Sequence, residues 1–353
     1  MKTLKKGKRK QASPVTLQMV AEHVGLTKGT CSAVLNNSLA ARSIPQHTKE
    51  RVLQAARDLR YRPSFYARNL GSKRTYMVGV VTQEIGDFYS SPIISGIEQY
   101  LQERSFFFLA VAYRHEPKLL EDYEQILLAR GVEGFIVVDT FLSHPPSLPT
   151  VAVAGHLPMK GVTNVVLDHR RAARLALTHL LELGHTEIAF MKGSSLSSDS
   201  EVRWKATCEV AGELGVRLRP ELTVQLAGDD PSPQLGYPFA KQLLTHRKPF
   251  TALFAYNDIS AIGAIRAFQE AGLRVPEDVS VVGFDDIQIA VHYTPSLTTV
   301  RQPLRKMGEL AARTLLSRIE DGIELAPEIA VEPDFVIRGS TSRARLVSAP
   351  RFR

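Results

Sequence analysis

Two groups of polar residues stand where their spacing gives them chemistry to do. The first opens a short helical segment, Thr27-Lys28-Gly29-Thr30, and continues through Ser32, Ala33 and Asn36. Thr27 sits as an N-cap, so the side chains after it project from a helix start, the part that meets base edges when a helix lies in the DNA major groove. Lys28 can contact guanine or phosphate, and Thr27, Thr30, Ser32 and Asn36 can bond phosphate oxygens or bases. Capping alone would account for Thr27, and helix termination for Asn36. The second group follows short β-rich runs: Asp87, Asp139, Asn257-Asp258 and Asp285-Asp286. Carboxylates and amides at the carboxyl ends of parallel strands can take paired hydrogen bonds from sugar hydroxyls or base nitrogens. Each of these residues could equally cap the helix that follows its strand.

The elements that must position the first group are legible upstream and downstream of it. Leu17, Val20, Ala21 and Val24 recur at the spacing of one helix face after Thr16, a second N-cap, and Gly25 stops that helix. Leu26 plugs the turn, and a second short helix from Lys28 to about Asn36 turns Cys31, Val34 and Leu35 inward. A third helix, about Pro45 to Leu59, carries Val52, Ala55, Ala56 and Leu59 on one face, and Pro63 ends the unit. Two short helices around a glycine turn make a helix-turn-helix. Charge agrees. Residues 1–75 hold 16 lysines and arginines against 3 acids, whereas the remaining chain holds 28 against 33. A basic head on a mildly acidic body is the footprint of a nucleic-acid reader.

From Tyr76 the texture changes. Beta-rich runs at Met77–Val81, Phe106–Val111, Phe135–Val138, Val151–Ala154, Ile188–Met191, Leu253–Ala255 and Val279–Val282 alternate with amphipathic stretches at Ile93–Arg104, Arg171–Leu183, Ser260–Ala271 and Leu304–Ile319. Such alternation predicts an α/β body of parallel, doubly wound sheets, and its length predicts two lobes with a cleft between them.

Several function classes are argued against. The chain shows no G-x-G-x-x-G, Walker loop, G-x-S-x-G elbow or His-Glu-x-x-His, and its ten histidines form no ligand pair of known spacing. An enzyme, a cofactor and a metal are therefore not expected. Cys31 and Cys208 have neither zinc nor redox spacing, which suits a reducing cytoplasm. The basic start through Lys10 is followed by Gln11-Ala12-Ser13-Pro14 rather than an apolar stretch, and no run of 18 apolar residues exists. An exported sugar-binding protein would share the two-lobed body, but not that start or the helix-turn-helix.

The run Val15-Thr16-Leu17-Gln18-Met19-Val20-Ala21-Glu22-His23-Val24-Gly25-Leu26-Thr27 resembles the opening signature of the LacI/GalR regulators. Cys31–Asn36, Thr48–Val52 and Leu59-Arg60-Tyr61-Arg62-Pro63 continue it. The resemblance runs on through Arg170–Gly193, Phe254–Asp258, Gly272–Asp286 and Pro295–Val300. It implies a helical DNA-binding domain at 14–62 after a basic tail at 1–13, and a hinge at 63–75. A two-lobed, periplasmic-binding-protein-like domain at 76–340 and a basic tail at 341–353 would follow. Lobe 1 would take about 76–182 and 302–332, and lobe 2 about 183–301 and 333–340.

In such regulators the hinge becomes a helix on DNA and wedges a leucine into the minor groove. By position that wedge is Leu70, with Ala67, Arg68 and Asn69 beside it. DNA contacts would come from Thr16, Thr27, Lys28, Gly29, Thr30, Ser32, Ala33, Asn36, Arg42 and Tyr61. Effector contacts map onto Arg203, Asn257 and Asp285, with Tyr89, Asp87 and Phe88 on the first lobe and Asp168 at a frequent family aspartate. The chain departs from the pattern at Gly29 and Ala33, where base-reading side chains are common, and in a longer loop Asn37–Ser43 whose Arg42 is a candidate replacement phosphate contact. It departs again at His169-Arg170-Arg171, and at Asp229–Pro233 where an aromatic platform is usual. The resemblance implies a homodimer on a roughly palindromic operator, paired through Ile93–Arg104 and Leu304–Ile319. A small effector between the lobes, a sugar or sugar derivative by family habit, would control repression.

Overall fold

The computed structural model describes residues 15–61, 74–156, 158–228, 230, 232–246, 248–323 and 326–345. The chain forms two compact units, Met1–Thr75 and Tyr76–Arg353. In the first, α1 (Leu17–Val24), α2 (Lys28–Leu35) and α3 (Gln46–Asp58) surround Val20, Ala21, Val24, Cys31, Val34, Val52 and Ala55. Both expected caps form: Met19 N–H donates to Thr16 Oγ1 at 3.3 Å and Thr30 N–H to Thr27 Oγ1 at 3.1 Å. Gly25 ends α1 at φ 67°, a left-handed conformation that a Cβ would strain. Arg51 of α3 donates to Val24 O at 2.9 Å, satisfying a carbonyl left open at the end of α1. Helix α3 begins one residue after Pro45, which acts as its N-cap.

The second unit holds two six-stranded sheets. The first runs β11–β5–β4–β3–β1–β2, all parallel, from β1 (Met77–Thr82), β2 (Phe107–Ala112), β3 (Phe135–Val138), β4 (Thr150–Val153), β5 (Val162–Leu167) and β11 (Glu328–Val331). The second runs β12–β10–β9–β8–β6–β7, from β6 (Ile188–Lys192), β7 (Thr223–Gln225), β8 (Ala252–Phe254), β9 (Ser280–Asp285), β10 (Thr298–Arg301) and β12 (Asp334–Val336). Only the β10–β12 pair is antiparallel. Helices α4 (Ser90–Glu103), α5 (Pro117–Ala129) and α10 (Leu304–Asp321) cover the first sheet. Helices α6 (His169–Glu182), α7 (Ser198–Glu213), α8 (Tyr237–Thr245) and α9 (Asp258–Glu270) cover the second.

The chain passes between lobes at Leu167–His169, Arg301–Leu304 and Val331–Asp334. The first passage differs from the expected boundary near residue 182. Helix α6 buries Ala172, Ala173, Ala176, Leu177 and Leu180 against Ile188, Phe190, Val210 and Val300 of the second lobe, so the lobe changes before it rather than after it.

Each lobe contains a helix crossing that no side chain can enter. A Cβ on Gly96 of α4 would overlap the Arg305 carbonyl, and one on Gly308 of α10 would overlap the Ile93 carbonyl. In the other lobe a Cβ on Gly263 of α9 would strike the Pro233 carbonyl, and one on Gly236 the Ser260 carbonyl. Backbone meets backbone in both. Replacing Gly308 by Ala should therefore lower stability by about 1–3 kcal/mol or more through overpacking. Thermal unfolding of the full chain checks this, and an unchanged midpoint would mean the crossing has slack.

Candidate nucleic-acid interface and effector cleft

On the head, Thr16, Thr27, Lys28, Gly29 and Asn36 are exposed, and Thr30, Ser32 and Ala33 are half-buried. All but Thr16 belong to α2 or its two caps. The hydroxyls of Thr27 and Thr30 lie 2.9 Å apart, and Asn36 Nδ2 donates to Ser32 Oγ at 3.1 Å, so these side chains pair among themselves while remaining accessible. The longer loop folds into a 3-10 turn, Leu39–Ser43, anchored by buried Ala41 and leaving Arg42 exposed. Tyr61 is half-buried against the helical core. Ala67, Arg68, Asn69 and Leu70 lie outside the described residues.

In the body, a cavity of about 330 Å³ opens between the carboxyl ends of the two sheets. It is lined by Asp87, Phe88, Tyr89, Asp139, Arg203, Asn257 and Asp285, among others. Asp168 does not reach it; its carboxylate caps α6 by accepting from Arg171 N–H at 2.9 Å. Asn257 and Asp87 both line the cavity and cap: Ser260 N–H donates to Asn257 at 2.9 Å, and Tyr89 N–H to Asp87 at 3.0 Å. Asp258 is fully enclosed behind Asn257. It accepts from Thr299 Oγ1 at 2.6 Å and from Ile287 N–H at 2.9 Å, fixing the loop after β9.

Arg203 is not paired with Asp285. One arm of its guanidinium donates to Asp199 one turn earlier on α7, another to Tyr256 O at 2.7 Å, and its plane lies over the rings of Phe284 and Tyr256 at 3.9 and 4.5 Å. Nε remains a buried donor with no partner. Asp285, at φ 113°, instead accepts from Gln302 at 2.7 Å, a buried amide on the second passage between lobes. The lobes also touch directly. Asp139 of lobe 1 accepts from Ser198 N–H at 2.8 Å, and Gln83 donates to Leu196 O at 2.9 Å.

Comparison with known proteins follows this division. Residues 16–64 match the description "Bacterial regulatory proteins, lacI family", and residues 177–341 match a periplasmic binding protein-like domain. The HTH-type transcriptional repressor PurR of Haemophilus influenzae is 31% identical over 336 residues, 92% of this chain and 98% of its own. The chain belongs to the lacI family. A lac repressor dimer bound to operator and the anti-inducer ONPF superposes with a TM-score of 0.84 at 26% identity, over 94% of this chain and all of that one. A transcriptional regulator CelR–cellobiose complex does so at 0.69 and 28%, over 92% and 99%. As a lacI-family member the protein is a DNA-binding transcriptional regulator rather than an enzyme. No helix among its described residues is long and apolar enough to cross a membrane.

The electrostatics of this lacI-family cleft are dominated by carboxylates. Six line it, Glu84, Asp87, Asp139, Asp199, Asp230 and Asp285, against the single guanidinium of Arg203. Burial pushes Asp139 and Asp87 up, and lifts Asp285 to about 7 although Arg203 and the Gln302 bond pull it down. Asp199 goes the other way. Burial opposes its charge, but His169 and Arg203 beside it hold its carboxyl well below the usual range. Asp199, Tyr256, Gln302 and the Ser197-Ser198 pair were not singled out in the sequence. The one available signal was the i, i+4 spacing of Asp199 and Arg203.

Because Asp285 binds its proton more tightly folded than unfolded, the stability it contributes is complete below about pH 4 and is lost as pH rises through about 7. Asp285→Asn should flatten the fall in urea midpoint between about pH 4 and about pH 7; an unaltered slope would mean another group titrates there.

Proposed function

We propose that this regulator is a homodimeric repressor that presents α2 to the major groove of a roughly palindromic operator. Its effector, a sugar or sugar derivative without negative charge, binds between the lobes. The observation that carries the effector class is the cavity's charge. Among the described lining residues its only guanidinium is committed to Asp199, so a phosphate or carboxylate on the ligand would meet six acidic side chains, with Arg203 and the imidazole of His115 as the basic groups opposite them. A polyhydroxy ligand suits what is there, because its hydroxyls can donate to Asp87, Asn257 and Asp285. The volume matches a small ligand. Cellobiose in the similar CelR complex supports the class.

Ligand between the lobes would favour one lobe–lobe angle and so alter DNA affinity by its differential affinity for the two states, typically about 1–3 kcal/mol of coupling. The test is a thermal-shift screen of neutral sugars beside their phosphates and uronates, followed by operator titration with each hit. Stabilisation by phosphates alone would overturn the charge argument. Arg203→Ala should abolish the operator response to a hit while leaving ligand-free operator binding in place; a retained response would remove Arg203 from the site.

The DNA arm is tested by selecting bound sequences from a random pool, which should return one motif with two-fold symmetry. Lys28→Ala should lower the salt dependence of operator binding by about one unit or change base preference. Leu70→Ala should weaken operator binding far more than non-specific binding, and equal losses would remove its wedge role.

A further inference from the structure

Beside the cavity, three ligating side chains converge from three parts of the body. His156 follows β4 of the first lobe at φ 52°, His169 opens α6 at the first passage, and Asp199 lies in the first turn of α7 in the second lobe. Nε2 of His156 lies 2.5 Å, and Nε2 of His169 2.9 Å, from the same oxygen, Asp199 Oδ1. The ligating atoms are all within 4.8 Å of one another, and the side chains are 9%, 3% and 4% exposed.

We propose that His156, His169 and Asp199 form a site for one divalent transition-metal ion of the zinc or cobalt kind, and that the ion fastens the two lobes together.

The donor set is the first argument. Two imidazole nitrogens and one carboxylate oxygen suit zinc-like ions, whereas calcium and magnesium demand oxygen ligands throughout. Geometry is the second. Bonds of about 2.0–2.1 Å in a tetrahedral shell put neighbouring ligand atoms roughly 3.3 Å apart. The two hydrogen-bonded separations here therefore need to open by less than about 1 Å, with water left to complete the shell. Arg203 holds Oδ2, so Asp199 offers the site one oxygen, Oδ1, the atom that both imidazoles already address. Charge is the third. Asp199 and Asp285 are buried and Asp139 is half-buried around one guanidinium, and a dication would favour the ionised form of all three.

One feature sets the strength. On binding, each imidazole must present a lone pair at Nε2, so the proton there moves to Nδ1 or leaves. Nδ1 of His169 is buried without a partner. An unmet buried donor lowers affinity by roughly ten- to a hundredfold relative to a fully satisfied structural site. Because the three ligands span lobe 1, the passage and lobe 2, occupancy acts on the lobe angle. The ion shares Asp199 with the cavity wall and would add positive charge there, so the effector screen is run on chelator-stripped protein, where either assignment can fail without the other.

The test uses full-length protein stripped with chelator. Titration with Co²⁺ followed by visible absorption, and with Zn²⁺ by calorimetry, should show one ion per chain with micromolar affinity and a tetrahedral Co²⁺ spectrum. His156→Gln and His169→Gln should each weaken binding at least tenfold, and saturating Zn²⁺ should change operator affinity severalfold in the wild-type chain only. The wild-type spectrum does not depend on how well the variants fold. Absence of micromolar binding, a thiolate-type Co²⁺ spectrum pointing to Cys31 or Cys208, binding that survives both substitutions, or saturation with no effect on the operator would each overturn the proposal.

Discussion

A carboxylate placed between two lobes, out of reach of water, stays ionised only if donors surround it. Asp199 is surrounded: two imidazoles share one oxygen and a guanidinium takes the other. Much of the body's arrangement follows from that requirement. Arg203 is aimed by Asp199 and laid over Phe284 and Tyr256 in the cavity wall. Tyr256 can approach so closely because Gly193 has no side chain; a Cβ there would enter the tyrosine ring. His169 connects the same carboxylate to the first passage, and Gln302 gives Asp285 an equivalent link to the second. The two acids of the second lobe therefore each report on a strand connection between the lobes.

The helical head was legible almost residue by residue because its signals are local. Thr16, Gly25 and Thr27 mark caps whose chemistry needs no tertiary context, and the apolar face at Val20, Ala21 and Val24 has a helical period. The seven β-rich runs of the body became strands, Phe135–Val138 with both ends unchanged and the others with an end shifted by one to three residues. Helices α5, α7 and α8 were not named; in α7, Ser198, Asp199, Ser200 and Arg203 are buried polar residues that blur the period that would have revealed it. Strands β5, β7, β10, β11 and β12 were also missed. Four of them are edge or near-edge strands of three or four residues, too short for alternation to speak, and β5 is buried on both faces with Asn164 inside it.

The cleft was half legible. Strand ends rich in acids and amides pointed to it, and resemblance singled out Arg203, Asn257 and Asp285. Partnership was the part out of reach. Asp168 occupies an expected position but turns to cap its own helix, a local bond that wins because Arg171 N–H lies in the next turn. His156 and His169 are thirteen residues apart and thirty or more from Asp199, so only the folded chain brings them to one oxygen.

The twin glycine crossings carry a mechanical consequence. Where carbonyl rests on bare Cα, as at Gly96 with Gly308 and at Gly263 with Gly236, neither lobe has room to shear its helices. Compliance is then confined to the three connecting strands, and each lobe turns as a stiff lever. A displacement of a few tenths of an ångström at the binding end is delivered to the far end as rotation, magnified by the lever's length instead of being absorbed along the way.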